Sequence, residues 1–157
     1  MKRFFTLSVA ILGAAILIQS ADPAQAGGQK SDSKVKITAT AAKPDASGKQ
    51  VITIVLAHDK GWHTYANPVG QDDLDSSKTI VTVLSKGKAL DADVKYPAGK
   101  VIKDKVVGDY KTYEDKTEIK ASIRRPVGDG PLEVSVKFMA CSGSMCLLPA
   151  TVKVTVP

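Results

Sequence analysis

Leu132-Glu133-Val134-Ser135-Val136-Lys137-Phe138-Met139, then Cys141-Ser142-Gly143-Ser144-Met145-Cys146, then Thr151-Val152-Lys153-Val154-Thr155-Val156 is the stretch that decides the fold. Its first segment puts Leu132, Val134, Val136 and Phe138 on one side and Glu133, Ser135, Lys137 and Met139 on the other, the period-two pattern of a half-buried strand. Its last segment does the same with Val152, Val154 and Val156. Small residues between the cysteines predict a hairpin-like reversal, and two cysteines on facing arms can reach disulfide separation. Counting on from Phe138, Cys141 falls on the face away from the core if no bulge intervenes, with its sulfur reachable from outside.

Cys141 and Cys146 are the only cysteines. A bond closing so short a loop constrains the unfolded chain by about 2 kcal/mol, against nearly 5 for a long loop. It would join neighbours rather than distant strands, so it is a poor staple. Spacing alone leaves three readings open: a static disulfide, a redox pair and a metal site. For the last, thiolates with the thioethers of Met139 and Met145 suit Cu(I), although both methionines are more simply packing residues.

Upstream, the chain reads as strands separated by turns. Val35, Ile37 and Ala39 alternate with polar residues; Val51 to Ala57 is rich in β-branched residues; Ile80 to Leu84, Val94 to Tyr96 and Ile119 to Ile123 are further short strands. Lys43 to Lys49, Gln71 to Lys78, Lys86-Gly87-Lys88 and Arg124 to Pro131 read as turns or loops. No amphipathic helical pattern of useful length occurs, so the fold class expected is an all-β antiparallel sandwich. One domain of this length buries a sufficient core without staples.

The N-terminus is different. Lys2 and Arg3 precede an apolar run from Phe4 to Ile18, and Ala24-Gln25-Ala26 follows, the pattern of a secretory signal cleaved after Ala26. The expected organisation is signal peptide 1–26, flexible tail 27–33 and a β-sandwich domain over 34–157. A chain so exported is not membrane-spanning after cleavage and works outside the cytoplasm, where a bacterial periplasm suits it and disulfides persist.

Composition excludes other classes. The formal charge is +6, but the lysines are scattered and aromatics are only 5% of residues, which does not make a nucleic-acid groove. His63 has no serine and carboxylate at a telling spacing, so a Ser-His-Asp triad has no support, and it reads as a surface or hydrogen-bonded histidine. Trp62 reads as a core plug.

Taken in order, Gly61-Trp62-His63-Thr64-Tyr65 with Asn67-Pro68, Tyr96-Pro97, Gly108 to Glu114, and Cys141-Ser142-Gly143-Ser144-Met145-Cys146-Leu147-Leu148-Pro149 resemble one family. It is the N-terminal periplasmic domain of the thiol:disulfide interchange protein DsbD. The resemblance implies an immunoglobulin-like β-sandwich without cofactor or metal. It implies electron transfer from a membrane-embedded donor, here a separate protein, to thioredoxin-like periplasmic partners. It further implies that Cys146 forms the mixed disulfide, that Cys141 resolves it, and that a cap loop near Lys105-Val106-Val107-Gly108 shields the pair. Better-known members carry an aromatic where Val106 or Val107 stands. The alternatives to this relay are a secreted Cu(I)-binding protein and an inert interaction module with a static disulfide. No helix N-terminus is predicted beside either cysteine, so the thiols should be less acidic than those of thioredoxin-like proteins.

Overall fold

The computed structural model describes residues 28–125 and 130–157. The signal peptide expected at 1–26, and part of the turn expected before Pro131, lie outside the described residues.

Twelve strands form three antiparallel four-stranded sheets among the described residues. The first sheet has the order β1 (Val35–Ala41), β2 (Lys49–His58), β9 (Lys116–Arg124), β6 (Ala92–Lys95). The second has the order β12 (Ala150–Val156), β10 (Leu132–Phe138), β4 (Ile80–Ser85), β5 (Lys88–Ala89). Their inner faces supply one core: Ile52, Ile54, Leu56, Ile119 and Ile123 from one side, Val83, Leu132, Val134, Val136 and Phe138 from the other. The period-two patterns are therefore obeyed, and their apolar sets meet as two layers. The fold is an all-β sandwich of antiparallel sheets, as expected. Burying one β-branched or leucine side chain contributes about 1.5–3 kcal/mol, so the core needs no help from sulfur.

The third sheet, in the order β11 (Ala140–Cys141), β3 (His63–Tyr65), β8 (Tyr110–Glu114), β7 (Lys100–Ile102), is built from continuations of the other two. β8 runs into β9 through Asp115, whose φ of 51° makes the corner. β10 runs into β11 through Met139. The cysteines thus sit on a short sheet fed by both layers of the sandwich.

Three expectations need correction. Residues 29–33, read as a loose tail, are tied down: Ser31 is fully buried, its N–H donates to the Leu148 carbonyl at 2.9 Å, and Leu148 N–H donates to Gln29 O at 3.1 Å. A small hydroxyl there finds two backbone partners that no sequence pattern announced. Trp62 is half-buried at the margin of the core rather than plugging it, with Lys34 Nζ 5.7 Å from its ring centroid. The loop expected at Gln71 to Lys78 holds a short 3-10 helix, Asp72–Ser77, because the Gln71 side chain accepts the Asp73 N–H at its start.

Candidate functional site

Cys141 and Cys146 are joined, with Cα atoms 4.0 Å apart. The reversal between them is the predicted one: Ser142 N–H donates to Met145 O at 2.8 Å, and Leu147 N–H donates to Ala140 O at 2.9 Å. A Cβ added to Gly143, at its tip, would meet nothing within 4 Å. Ser31 holds the base of this hairpin, since its hydroxyl donates to Leu148 O at 2.7 Å and accepts the Ala140 N–H at 2.8 Å.

The two sulfurs have opposite surroundings. Cys146 is exposed, whereas Cys141 is only 2% exposed. The strand-parity argument placed Cys141 correctly on the face away from the main core, where its neighbour Ala140 packs instead. The inference that its sulfur is reachable is overturned. A second apolar cluster covers that face, made by Tyr65 and Val69 with Leu74, Tyr110 and Met139 against it. Tyr65 comes from β3, which the alternation alone could not place beside β11.

Strand pairing orders the site further. β11 pairs with β3 so that Cys141 is opposite His63, and β3 pairs with β8 so that His63 is opposite Glu114. Cys146 is opposite Cys141. Directly opposed residues share a face, so Glu114, His63, Cys141 and Cys146 form one row on the outer side. The next row, Tyr113, Thr64 and Ala140, is buried against the sandwich.

The electrostatics follow from this layering. The Tyr65 hydroxyl lies 3.8 Å from Cys141 Sγ; the bonded sulfur carries no hydrogen, so the phenol donates. Burial, and then Tyr110, whose ring centroid is 5.8 Å away, push the Tyr65 phenol above its ordinary value, so it stays protonated at neutral pH. Burial lowers the His63 imidazole; Glu114 opposes that shift and Lys100 adds to it. Lys100 Nζ is itself paired with Glu114 at 2.8 Å.

The segment Lys105-Val106-Val107-Gly108 lies in the turn between β7 and β8. Asp104 accepts the N–H groups of Val106 at 2.7 Å and Val107 at 3.0 Å, which shapes that turn. Its valines are uncovered, Val106 at 92% exposure. Cys141 itself is covered by Tyr65 and its cluster.

With that geometry in view, comparison with known proteins is informative. Residues 31–157 match the family model of the thiol:disulfide interchange protein DsbD, N-terminal. The chain belongs to the DsbD N-terminal domain family. The match begins at Ser31, the residue that ties the hairpin's base, and so includes part of the expected tail. Among the solved structures that share the fold are the following three. The DsbD N-terminal domain of Neisseria meningitidis in the reduced form is 12% identical with a TM-score of 0.53, over 79% of this chain and 85% of that one. The N-terminal periplasmic domain of ScsB from Proteus mirabilis is 18% identical with a TM-score of 0.57, over 77% of this chain and 46% of that one. A chain from the Neisseria meningitidis complex between the DsbD and PilB N-terminal domains is 11% identical with a TM-score of 0.50, over 74% of this chain and 80% of that one. No curated protein matches.

Among the described residues, no group of three or more His, Cys, Asp or Glu side chains is placed to hold a metal ion. Met139 packs against the apolar cluster that holds Cys141, whereas Met145 is 57% exposed. No helix among the described residues is long and apolar enough to cross a membrane.

Proposed function

We propose that this DsbD N-terminal-like domain is a periplasmic thiol-disulfide exchange module, relaying electrons through Cys141 and Cys146 to thioredoxin-like partners. The observation that carries the reading is the asymmetry of the pair, one sulfur open and one enclosed on the same hairpin. In-line attack on a disulfide needs access. Cys146 is therefore the sulfur that bonds to the partner, and Cys141 the sulfur that resolves the bond. Met145 at 57% exposure and Leu148 at 49% flank Cys146 and offer an apolar contact for the docking protein. The known complex between the DsbD and PilB N-terminal domains supports docking of another protein on this kind of fold.

The step balances as follows. The reduced pair attacks a partner disulfide, a mixed disulfide forms, and Cys141 then displaces the partner's sulfur. The chain loses two electrons and two protons, and the partner gains them. A membrane-embedded donor restores the dithiol. The 105–108 turn, with its uncovered valines, is the candidate cap for the pair. Docking governs the rate, because the described residues include no α-helix whose dipole could act on either thiol.

The test is trapping. The C141S variant, reduced and mixed with an oxidised thioredoxin-like protein, should accumulate a mixed disulfide through Cys146, and C146S should not. A wild-type bond that resists every reduced thioredoxin-like protein, with no adduct in C141S, leaves an inert disulfide and sinks the relay.

A further inference from the structure

Within the relay reading, resolution is the harder step to account for. Cys141 must become a thiolate, yet it lies among Tyr65, Val69, Leu74, Tyr110 and Met139. Burial in apolar surroundings raises a thiol pKa and leaves the sulfur protonated. A proton acceptor beside it would remove the obstacle. The charged and titratable groups around the outer row are few. Glu114 and Lys100 lie at its far end, Tyr65 and Tyr110 stand over Cys141, and His58 lies beneath, bonded to Thr64 Oγ1 through Nε2 at 3.1 Å. Lys100 is a cation, and Tyr65 and Tyr110 are phenols, which donate at neutral pH. Glu114 is one residue too far along the row, and His58 faces the sandwich.

We propose that His63 is the general base for Cys141 in the resolving step. It stands directly opposite Cys141 on the neighbouring strand, on the same face, where paired Cβ atoms are about 4.5–5.5 Å apart. Its ring meets the Tyr65 ring edge-on at 6.3 Å, and the Tyr65 hydroxyl reaches Cys141 Sγ, so the three side chains form one contiguous group. Burial keeps the imidazole neutral, hence able to accept, at neutral pH. Glu114, opposite on the other side, favours the imidazolium once it forms. The order carboxylate, imidazole, thiol is that of an activated cysteine nucleophile.

The proton and electron account is short. In the mixed disulfide, His63 takes the Cys141 proton. The Cys141 thiolate attacks Cys146 Sγ and the intramolecular S–S bond forms. The bond from Cys146 to the partner breaks, the partner's sulfur leaves as a thiolate, and His63 returns the proton to it.

The test uses the reduced full domain with limiting 5,5′-dithiobis(2-nitrobenzoic acid), an aromatic disulfide that releases one coloured thiolate when Cys146 attacks and a second when Cys141 resolves. Stopped-flow absorbance then reads two phases. In H63Q and H63F the second phase should slow by about tenfold or more near neutral pH, with the first phase unchanged. Its pH profile should lose the histidine inflection and follow the bare thiol instead. E114Q, which keeps the imidazole, should move that inflection to lower pH, because Glu114 raises the His63 value. Wild-type speed and profile in both His63 variants would overturn the assignment while leaving the relay standing. Absence of a second release from the wild type would overturn the relay itself.

Discussion

Ser31 and Leu148 are joined twice, by the Ser31 N–H at 2.9 Å and the Ser31 hydroxyl at 2.7 Å, both donating to the Leu148 carbonyl. The same hydroxyl accepts the Ala140 N–H, so one side chain near the N-terminus spans both arms of the cysteine hairpin. The S31A variant leaves a buried Ala140 N–H unsatisfied, which costs about 1–3 kcal/mol. Urea unfolding should show that loss. Hydrogen exchange should localise it, with faster exchange at Ala140 and unchanged protection in β2 and β9. Uniform protection in the variant would contradict the role of Ser31 as a clamp.

Thr112 predicts the opposite sign. It is 1% exposed, and its hydroxyl has no hydrogen-bond partner among the described residues. Replacing it by valine removes a buried polar group at nearly constant shape. T112V should gain about 1 kcal/mol, seen as a thermal midpoint raised by a few degrees. A lower midpoint would mean that the hydroxyl is satisfied in solution.

Gly99 predicts a steric loss. A Cβ there would lie 2.7 Å from the Ala66 Cβ and 3.0 Å from both the Lys111 Cβ and the Thr112 carbonyl. G99A should destabilise the domain by about 1–3 kcal/mol, the ordinary cost of overpacking. Equilibrium denaturation would measure it, and a variant as stable as the parent would show that the backbone at Gly99 can move away from Ala66 and Lys111.

The histidines predict the pH dependence of stability. Burial holds both His58 and His63 below the ordinary 6.5, and His58 Nδ1 lies 3.0 Å from the Asp115 carbonyl. As pH falls through 6.5, the unfolded chain takes up these protons before the folded one does. Stability is therefore complete above that value and declines toward the lower folded values. Urea midpoints at about pH 7.5 and about pH 5 should differ in that direction, and H58Q should reduce the difference. An equal midpoint at both would rule out buried neutral imidazoles.

Much of this was legible in the sequence, for reasons visible in single residues. Val134, Val136 and Phe138 gave away β10 because one sheet face is buried and the other is not, and the Ser-Gly-Ser turn gave away the hairpin. Even the side on which Cys141 stands followed from counting. Its enclosure did not, because Tyr65 is 76 positions away and reaches it only through the pairing of β3 with β11. The same long-range pairing hid His63, whose local context looks like that of any surface histidine. Ser31 sat in a polar tail with nothing periodic to mark it.

The corner at Asp115 and the passage through Met139 have a lasting consequence. The sulfurs ride on a rim that shares backbone with both layers, and Cys141 packs in a separate apolar cluster rather than in the main core. On the proposed relay reading, opening the bond acts on that rim and not on the apolar core between the two layers, so repeated charging and discharging would leave the body of the domain in place.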